Sequence, residues 1–435
     1  PAQAIRAQTQ NKLSSFFPFA GDMCLKFLLL LAAVSAAHST QLAKFVIFTK
    51  DPLSFIYVHT TDGFIGIGQM GRSQMDSTGI LADADLVNDM FMRHVAPLAI
   101  NRDIGTPADL KKLRQDILYA NYKNNGQVFS RALSGLDTAM WEIFAKRANQ
   151  SVCEFVGKQI GRPCLKRVNF YCTNITRDET PQELLSLIGN LHATYGAKGY
   201  KLKIGQTMGR NTDVYPNRTD KVISSMRHTL DEALGFHVRL MVDANGGYED
   251  LEHAKHVSKL LEDNDYYWFE EPVPFWNYEL TKEIRDKTHV RIALGENEYR
   301  EEVIKRAMSE GVIDVVQPDF GYAGGFSPLL EIALLARRLG IEFDPHSPDL
   351  SLTEFFSVHL MGAVADPDAM YEYGCTDQST PTDIFVQNLE VANGATTVPT
   401  QSGWGVEVRA SWLQHAQKVE YPMRPEVSDV FRLVL

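Results

Sequence analysis

Two patterns of hydrophobic and polar residues divide the chain near residue 166. Before that point, short runs of alternating apolar and polar residues predict three strands of a hairpin sheet between residues 45 and 68. A helix should follow, because apolar residues then recur at three- and four-residue steps. Its apolar face consists of Phe129, Leu133, Leu136, Met140 and Phe144. We therefore predict a small α+β domain over residues 40–165.

After residue 166, short apolar runs alternate eight times with stretches of helical periodicity. This alternation predicts an α/β fold, a (β/α)8-type (TIM-like) barrel over residues 166–374. The predicted strands are residues 168–173, 199–204, 238–242, 266–269, 291–294, 313–317, 341–343 and 370–373. Residues 375–435 mix strand-like and irregular stretches, and we expect them to pack back on the first domain.

Polar side chains stand at the ends of five consecutive predicted strands of the barrel. They are Asp243, Glu270, Glu296, Asp319 and His346, spaced by 27, 26, 23 and 27 residues. Because a barrel gathers the C-terminal ends of its strands on one face, we expect these residues to converge on one site. Three of them are carboxylates on neighbouring strands, an oxygen-rich set that suits Mg²⁺.

The second predicted strand carries Lys201 and Lys203, which are separated by one residue and therefore point to the same side, into the barrel mouth. Their mutual repulsion and a nearby metal ion should lower the pKa of one of them and so supply a neutral amine as a base. A solvated basic edge is the alternative. Asn245 follows Asp243 with the same spacing and is a candidate substrate ligand.

His346 and Asp319 fall on neighbouring predicted strands, so the carboxylate can orient the imidazole and raise its basicity. This pairing makes His346 a candidate acid/base that faces the lysines across the barrel. Glu372, on the eighth predicted strand, completes the ring. It could share a proton with a substrate oxygen if its pKa is raised.

Charge and hydropathy exclude some partners. The 435 residues include 43 Lys and Arg against 54 Asp and Glu, a net charge of -11, which argues against nucleic acid. No stretch reaches the roughly 18 to 20 apolar residues that cross a bilayer. Residues 1–39 are read as an N-terminal extension with a signal peptide over residues 23–36. We therefore expect secretion, with a cytoplasmic location as the alternative, and no membrane association after processing.

Four cysteines remain after removal of a signal peptide that contains Cys24. A closed barrel places its eighth strand beside its first, so the hypothesis is that Cys172 pairs with Cys375 and Cys153 with Cys164. Buried free thiols are the alternative, and no Cys or His spacing suggests zinc. N-glycosylation triplets begin at Asn149, Asn174 and Asn217, which is compatible with a secreted protein.

Residues 43–425 resemble the mandelate racemase subgroup of the enolase superfamily, with the matched positions in order. The first domain resembles that family's capping domain. The resemblance implies one Mg²⁺ per active site at Asp243, Glu270 and Glu296, and no other cofactor. It also implies a catalytic set of Lys203, His346, Lys201, Asp319 and Glu372. The chain departs from the family at Ser402, where relatives often carry proline.

The expected reaction is removal of the proton α to a carboxylate through an enediolate, with Lys203 as the base and His346 as the acid/base on the other face. Dehydration of an aldonic or aldaric acid to a 2-keto-3-deoxy acid is the first choice. Racemisation or epimerisation of an α-hydroxy acid is the alternative, and a catalytically silent scaffold is a third. Candidate substrate ligands besides Asn245 are Asn174 and, in the loop 69–74 of the capping domain, Arg72. We also expect a homo-oligomer.

Overall fold

The computed structural model describes residues 40–72, 84–376 and 383–422, without the side chains of residues 71, 72 and 174. The predicted signal peptide at residues 23–36 lies outside this part. No helix among the described residues is long and apolar enough to span a membrane.

The strands, numbered in chain order, are β1 Leu42–Lys50, β2 Leu53–Thr60, β3 Ile65–Arg72, β4 Arg167–Ile175, β5 Gly199–Lys203, β6 Arg239–Asp243, β7 Trp268–Glu270, β8 Arg291–Leu294, β9 Val315–Val316, β10 Glu342–Phe343, β11 Met370–Tyr373, β12 Val391–Ala392, β13 Ala395–Thr397 and β14 Gln417–Tyr421.

The helices are α1 Ala84–Met90, continued by a π-helical turn at Phe91–Val95, α2 Ala96–Ala99, α3 Pro107–Ala120, α4 Gln127–Arg147, α5 Val152–Ile160, α6 Pro181–Tyr195, α7 Arg218–Leu234, α8 Leu251–Asp263, α9 Tyr278–Lys287, α10 Glu301–Ser309, α11 Phe326–Leu339, α12 Leu352–Val364 and α13 Ala410–Gln414.

An antiparallel sheet in the order β14-β1-β2-β3 packs against α4 and forms the capping domain. Glycines on β3 allow the close approach of this helix. A Cβ on Gly66 would lie 2.1 Å from the Ala139 carbonyl oxygen, and one on Gly68 would lie 2.1 Å from that of Gly135. The C-terminal strand β14 pairs with β1, so the end of the described chain returns to the first domain.

The barrel is built from the parallel strands β4 to β11, as its fold class predicts. Neighbouring strands pair in sequence order from β4 to β10, and β11 pairs with β4 in parallel. Between β10 and β11 no backbone ladder forms in the described part of the chain. The predicted domain limits at residues 165 and 374 stay predictions.

Two of the predicted barrel strands are shorter in the structure, and each is followed by a proline. The sixth, predicted over residues 313–317, is reduced to β9, and the seventh, predicted over 341–343, to β10. Pro318 and Pro345 follow shortly after these strands and have no N–H to donate to a ladder. Pairing resumes beyond them, because Asp319 and His346 form a parallel bridge. These two catalytic candidates are thus set side by side by the backbone itself.

The proposed cysteine pairing is confirmed. Cys153 is bonded to Cys164 and Cys172 to Cys375, with Cα separations of 5.7 and 5.2 Å. Cys172 lies on β4, and Cys375 comes two residues after the end of β11. The second bridge therefore fastens the first barrel strand to the eighth.

Candidate active site

Three carboxylates converge at the C-terminal ends of β6, β7 and β8. Asp243, Glu270 and Glu296 each place an oxygen within 4.8 Å of the others. Asp243 and Glu270 are fully buried, because each is the last residue of an interior strand of the parallel sheet. The strand periodicity predicted this convergence.

Each lysine of β5 contacts a carboxylate of this triad. Lys201 donates to both oxygens of Glu270, at 2.8 and 2.9 Å, and lies 2.7 Å from Glu372. Lys203 donates to Asp243. Although burial opposes it, the charges of Glu270 and Glu372 raise the pKa of Lys201 well above its ordinary value. The predicted lowering of the pKa of one of the two lysines, by repulsion together with a bound metal ion, stays a prediction.

His346 and Asp319 form the predicted dyad. The Nδ1 atom of His346 lies 3.0 Å from Asp319 Oδ2, and its Nε2 atom lies 3.4 Å from Glu296 Oε2. Asp319 is itself held by the backbone N–H of Tyr322, which donates to Oδ1 at 2.8 Å. Burial favours the neutral imidazole, but Glu296, Glu372 and Asp319 outweigh it and raise the pKa of His346 to about 10.

Glu372 is an ion-paired carboxylate. It contacts Lys201 and also accepts a hydrogen bond from the backbone N–H of Ser347 at 3.0 Å. Burial alone would raise its pKa, but Lys201 and His346 overcome this and lower the pKa to about 2. The raised pKa that would let Glu372 donate a proton is therefore absent, since two cations lie next to it.

Asn245 joins several of these groups. Its Oδ1 atom accepts from Lys203 Nζ at 2.9 Å and from an Nη atom of Arg177 at 2.7 Å, and its Nδ2 atom donates to Glu296 at 3.4 Å. The backbone of Asn245 is left-handed, with a φ of 43°, a conformation that Asn tolerates better than most residues. Asn245 therefore holds the side chains of Lys203, Arg177 and Glu296 next to one another.

Arg177 is a functional candidate that the sequence reasoning missed. It follows β4 and donates to the Ile204 carbonyl at 3.1 Å as well as to Asn245. Burial lowers its pKa, against the opposing charges of Asp243 and Glu296. Its position just after the first barrel strand could have marked it, because polar residues at strand ends meet at the mouth.

Gln317 is a second residue that the sequence reasoning missed, and it supports Glu270 by a hydrogen bond. Gln317 donates from Nε2 to Glu270 at 2.8 Å and to Asp344 at 3.2 Å, and the Tyr171 hydroxyl donates to Asp344 at 2.7 Å. Burial and the charge of Glu372 raise the pKa of Asp344 to about 8. Gln317 precedes Asp319 by two residues, so strand alternation offered a signal for it.

Two protein-family models match the chain and show the family to which it belongs. A model described as enolase C-terminal domain-like covers residues 183–412, more than half of the chain, and one described as the mandelate racemase / muconate lactonizing enzyme N-terminal domain covers residues 31–157. The chain belongs to the mandelate racemase / muconate lactonizing enzyme family. The predicted enolase-superfamily membership is confirmed.

Relatives of this family share the architecture. The chain is 25% identical to arabinonate dehydratase of Saccharolobus solfataricus over 81% of this chain and 87% of that protein. A candidate racemase from Roseobacter denitrificans is 29% identical, with a TM-score of 0.79 over 87% of this chain and 99% of that one. L-Talarate dehydratase from Polaromonas, in complex with Mg and L-glucarate, shares the fold at 22% identity, with a TM-score of 0.73 over 89% and 100% of the two chains.

The triad fits the magnesium ion that the family implies. Its donors are carboxylate oxygens, the ligands that Mg²⁺ prefers. Burial and the charges of Asp243 and Glu296 raise the pKa of Glu270 to about 8, although Lys201 opposes the shift. The ion pair with Lys201 thus leaves part of the repulsion among the three carboxylates in place. A divalent cation held by Asp243, Glu270 and Glu296 would relieve this repulsion.

The two remaining substrate candidates are placed only in part. Arg72 is the last residue of β3 and Asn174 lies in β4, but both side chains are outside the described residues, as are positions 73 and 74 of the capping-domain loop 69–74. Their roles stay predictions.

Proposed function

We propose that this protein removes the proton α to the carboxylate of an acid sugar and expels the β-hydroxyl group as water, which gives a 2-keto-3-deoxy acid. One observation carries the proposal. Lys203 and His346 contact different carboxylates of the triad, Asp243 and Glu296, and approach it from β5 and from the loop after β10. A substrate carboxylate bound at the triad therefore lies between a lysine and an imidazole.

The two groups have different tasks. Lys203 is the base that accepts the α-proton, and Asn245 holds its Nζ atom at 2.9 Å. His346 is the acid that protonates the departing hydroxyl, because Asp319 contacts its Nδ1 atom and favours the charged imidazole. Asp319 fixes the ring by contact with Nδ1 and leaves Nε2 directed at the triad.

The α-proton of a carboxylate is very weakly acidic. The negative charge that develops on the carboxylate oxygens when this proton leaves must therefore be stabilised. When bound, Mg²⁺ supplies Lewis-acid stabilisation at these oxygens. Lys201 adds a fixed positive charge at the same place, since it is fully buried between Glu270 and Glu372.

Arg177 is the group we propose for the distal end of the substrate. The Nη1 atom of Arg177 makes no hydrogen bond to any described residue, whereas Nε and Nη2 are used by Ile204 and Asn245. A free guanidinium donor at the mouth suits hydroxyl or carboxylate groups, which acid sugars carry along their chain.

Racemisation is the second candidate, because the same two-sided arrangement can return a proton to the opposite face, and the Roseobacter relative is named as a candidate racemase. The two outcomes differ in product. A hydroxyl group at the β-carbon, the leaving group of dehydration, decides between them.

The test is a panel of aldonic and aldaric acids with the purified protein and Mg²⁺ in D₂O. Keto-acid formation reports dehydration, and α-deuterium incorporation with inversion reports racemisation. Chelation should remove the activity and Mg²⁺ should restore it. Neither product with any acid, or full activity of metal-free protein, would refute the proposal.

A further inference from the structure

Two features of the sequence are not used by this reaction: the N-glycosylation triplets and the four cysteines of the described chain. N-linked glycans need an exposed asparagine, and stable disulfides need an oxidising compartment. The structure meets both requirements at defined positions.

Asn149 and Asn217 are both exposed at turns. Asn149 lies between α4 and α5, and Asn217 directly precedes α7, with left-handed φ angles of 51° and 58°. Neither side-chain amide has a hydrogen-bond partner among the residues that the structure describes. For Asn217 this is unexpected, because an asparagine before a helix ordinarily caps it, yet the side chain makes no capping bond. Both Nδ2 atoms are therefore free to carry a substituent.

The hydroxyl residues of the two triplets are occupied in the folded state. Ser151 accepts from the backbone N–H of Glu154 at 3.3 Å, and Thr219 accepts from that of Gly205 at 3.0 Å. Both are buried, so the triplets can be recognised only before the chain folds. After folding, the remaining requirement is room at the asparagine, which both turns provide.

The third triplet differs. Asn174 lies within β4, between the buried residues Thr173 and Ile175. A barrel strand offers less room than a turn, and we leave Asn174 out of the assignment.

The cysteines supply an independent observation. Every cysteine in the described part of the chain belongs to one of two bridges, with Cα separations inside the usual disulfide range. The Cys172–Cys375 bridge spans 203 residues and joins the first barrel strand to the end of the last. Such pairs persist outside the reducing cytosol.

We propose that this protein matures in an oxidising, glycosylating compartment, carries N-linked glycans on Asn149 and Asn217, and holds both disulfides. In the transfer, the asparagine Nδ2 displaces a lipid pyrophosphate from C1 of an oligosaccharide. An N–C bond forms, the C–O bond breaks and one amide proton is released. Each disulfide forms by exchange with an oxidoreductase disulfide, which is reduced to a dithiol while the two cysteine thiols are oxidised.

The glycan test uses the full chain behind an initiator Met, expressed in a eukaryotic secretory host. Peptide N-glycosidase treatment should increase the gel mobility. Asn149→Gln and Asn217→Gln should each remove one glycan, and the double variant should abolish the shift. Asn101→Gln is the matched control, because Asn101 is also exposed with a φ of 61° but is not in a triplet.

The disulfide test is peptide mapping of the same protein without reduction. We expect the Cys153–Cys164 and Cys172–Cys375 links and no alkylation of these cysteines before reduction. Three results would each overturn the proposal: alkylatable thiols before reduction, an unglycosylated product, or a mobility shift that only Asn174→Gln removes. A glycan on only one of Asn149 and Asn217 would overturn the assignment of the other asparagine. These readouts are masses and mobilities, so they stand apart from the outcome of the activity test.

Discussion

The barrel mouth and the interface between the capping domain and the barrel both bury polar residues, but they satisfy them differently. At the interface, the partners are largely backbone groups. Gln69 of β3 accepts from the Leu352 N–H of α12 at 3.0 Å, and His359 accepts from the Cys153 N–H at 3.2 Å and contacts the Trp404 carbonyl at 3.0 Å. These residues connect elements that are far apart in sequence.

At the mouth, charged side chains face one another, and some atoms have no partner. Among the described residues, Glu271 Oε2, Gln317 Oε1 and Asp344 Oδ1 are buried without a hydrogen bond. Glu271 also has a left-handed backbone, with a φ of 39°, which is uncommon outside glycine. Unsatisfied polar atoms and unusual backbone conformations are costly and concentrate where function requires them. The two regions therefore differ in the type of partner, backbone groups at the interface and charged side chains at the mouth, since the interface also leaves a buried atom, Asp137 Oδ2, without a hydrogen bond to any described residue.

The largest expected effect is at the mouth. Lys203→Ala and His346→Asn should each lower kcat by about 10² to 10⁴, because each removes a proton-transfer group. Steady-state kinetics measure this loss, and deuterium exchange at the α-carbon shows which half-reaction survives. Lys198→Ala and His228→Asn are exposed controls that should stay near wild type. Near-normal turnover in either mouth variant would contradict the assignment of two proton-transfer groups.

The interface should respond to pH through His359. Burial lowers the pKa of His359 from 6.5 to about 4, so between these values the unfolded state binds a proton that the folded state does not. Stability is therefore complete above pH 6.5 and is lost as the pH falls towards 4, by about 3 kcal/mol from this group. Denaturant unfolding at several pH values should show a shallower pH dependence for His359→Gln than for wild type. Equal slopes would show that His359 does not couple folding to pH.

Gln317 tests whether the polar network beneath the triad belongs to the mouth. Gln317→Leu removes the donor to Glu270 and should weaken Mg²⁺ binding by about 10- to 100-fold, the usual effect of losing a group that orients a metal ligand. Calorimetric titration with Mg²⁺ measures it, with exposed Gln115→Leu as the control. Unchanged affinity would place Gln317 with the structural residues.

The smallest effect is expected at Arg177. Arg177→Met keeps the length of the side chain but removes its charge and donors, so KM for an acid sugar should rise by about 10-fold, the value of one charge-assisted hydrogen bond. A substrate without distal hydroxyl or carboxylate groups should show little change in KM. A comparable KM increase for both substrates would show instead that Arg177 acts by positioning Asn245, to which it donates a hydrogen bond.

The sequence alone determined the residues that meet at the mouth. Strand alternation sends Lys201 and Lys203 to one side, and the barrel repeat brings Asp243, Glu270, Glu296, Asp319 and His346 to one face. The same repeat placed Cys172 beside Cys375. These predictions depend only on periodicity and on closure of the barrel, which a sequence expresses directly.

Only the tertiary structure decided the charge states and the supporting contacts. The low pKa of Glu372 depends on its 2.7 Å contact with Lys201, and the high pKa of Lys201 depends on Glu270 and Glu372, although Lys201 and Glu372 stand 171 positions apart in the chain. The strand positions of Arg177 and Gln317 offered a signal, but only the structure shows the partners on other strands through which each acts. Electrostatic shifts depend on separation and desolvation in three dimensions, and neither quantity is encoded in the local pattern of residues.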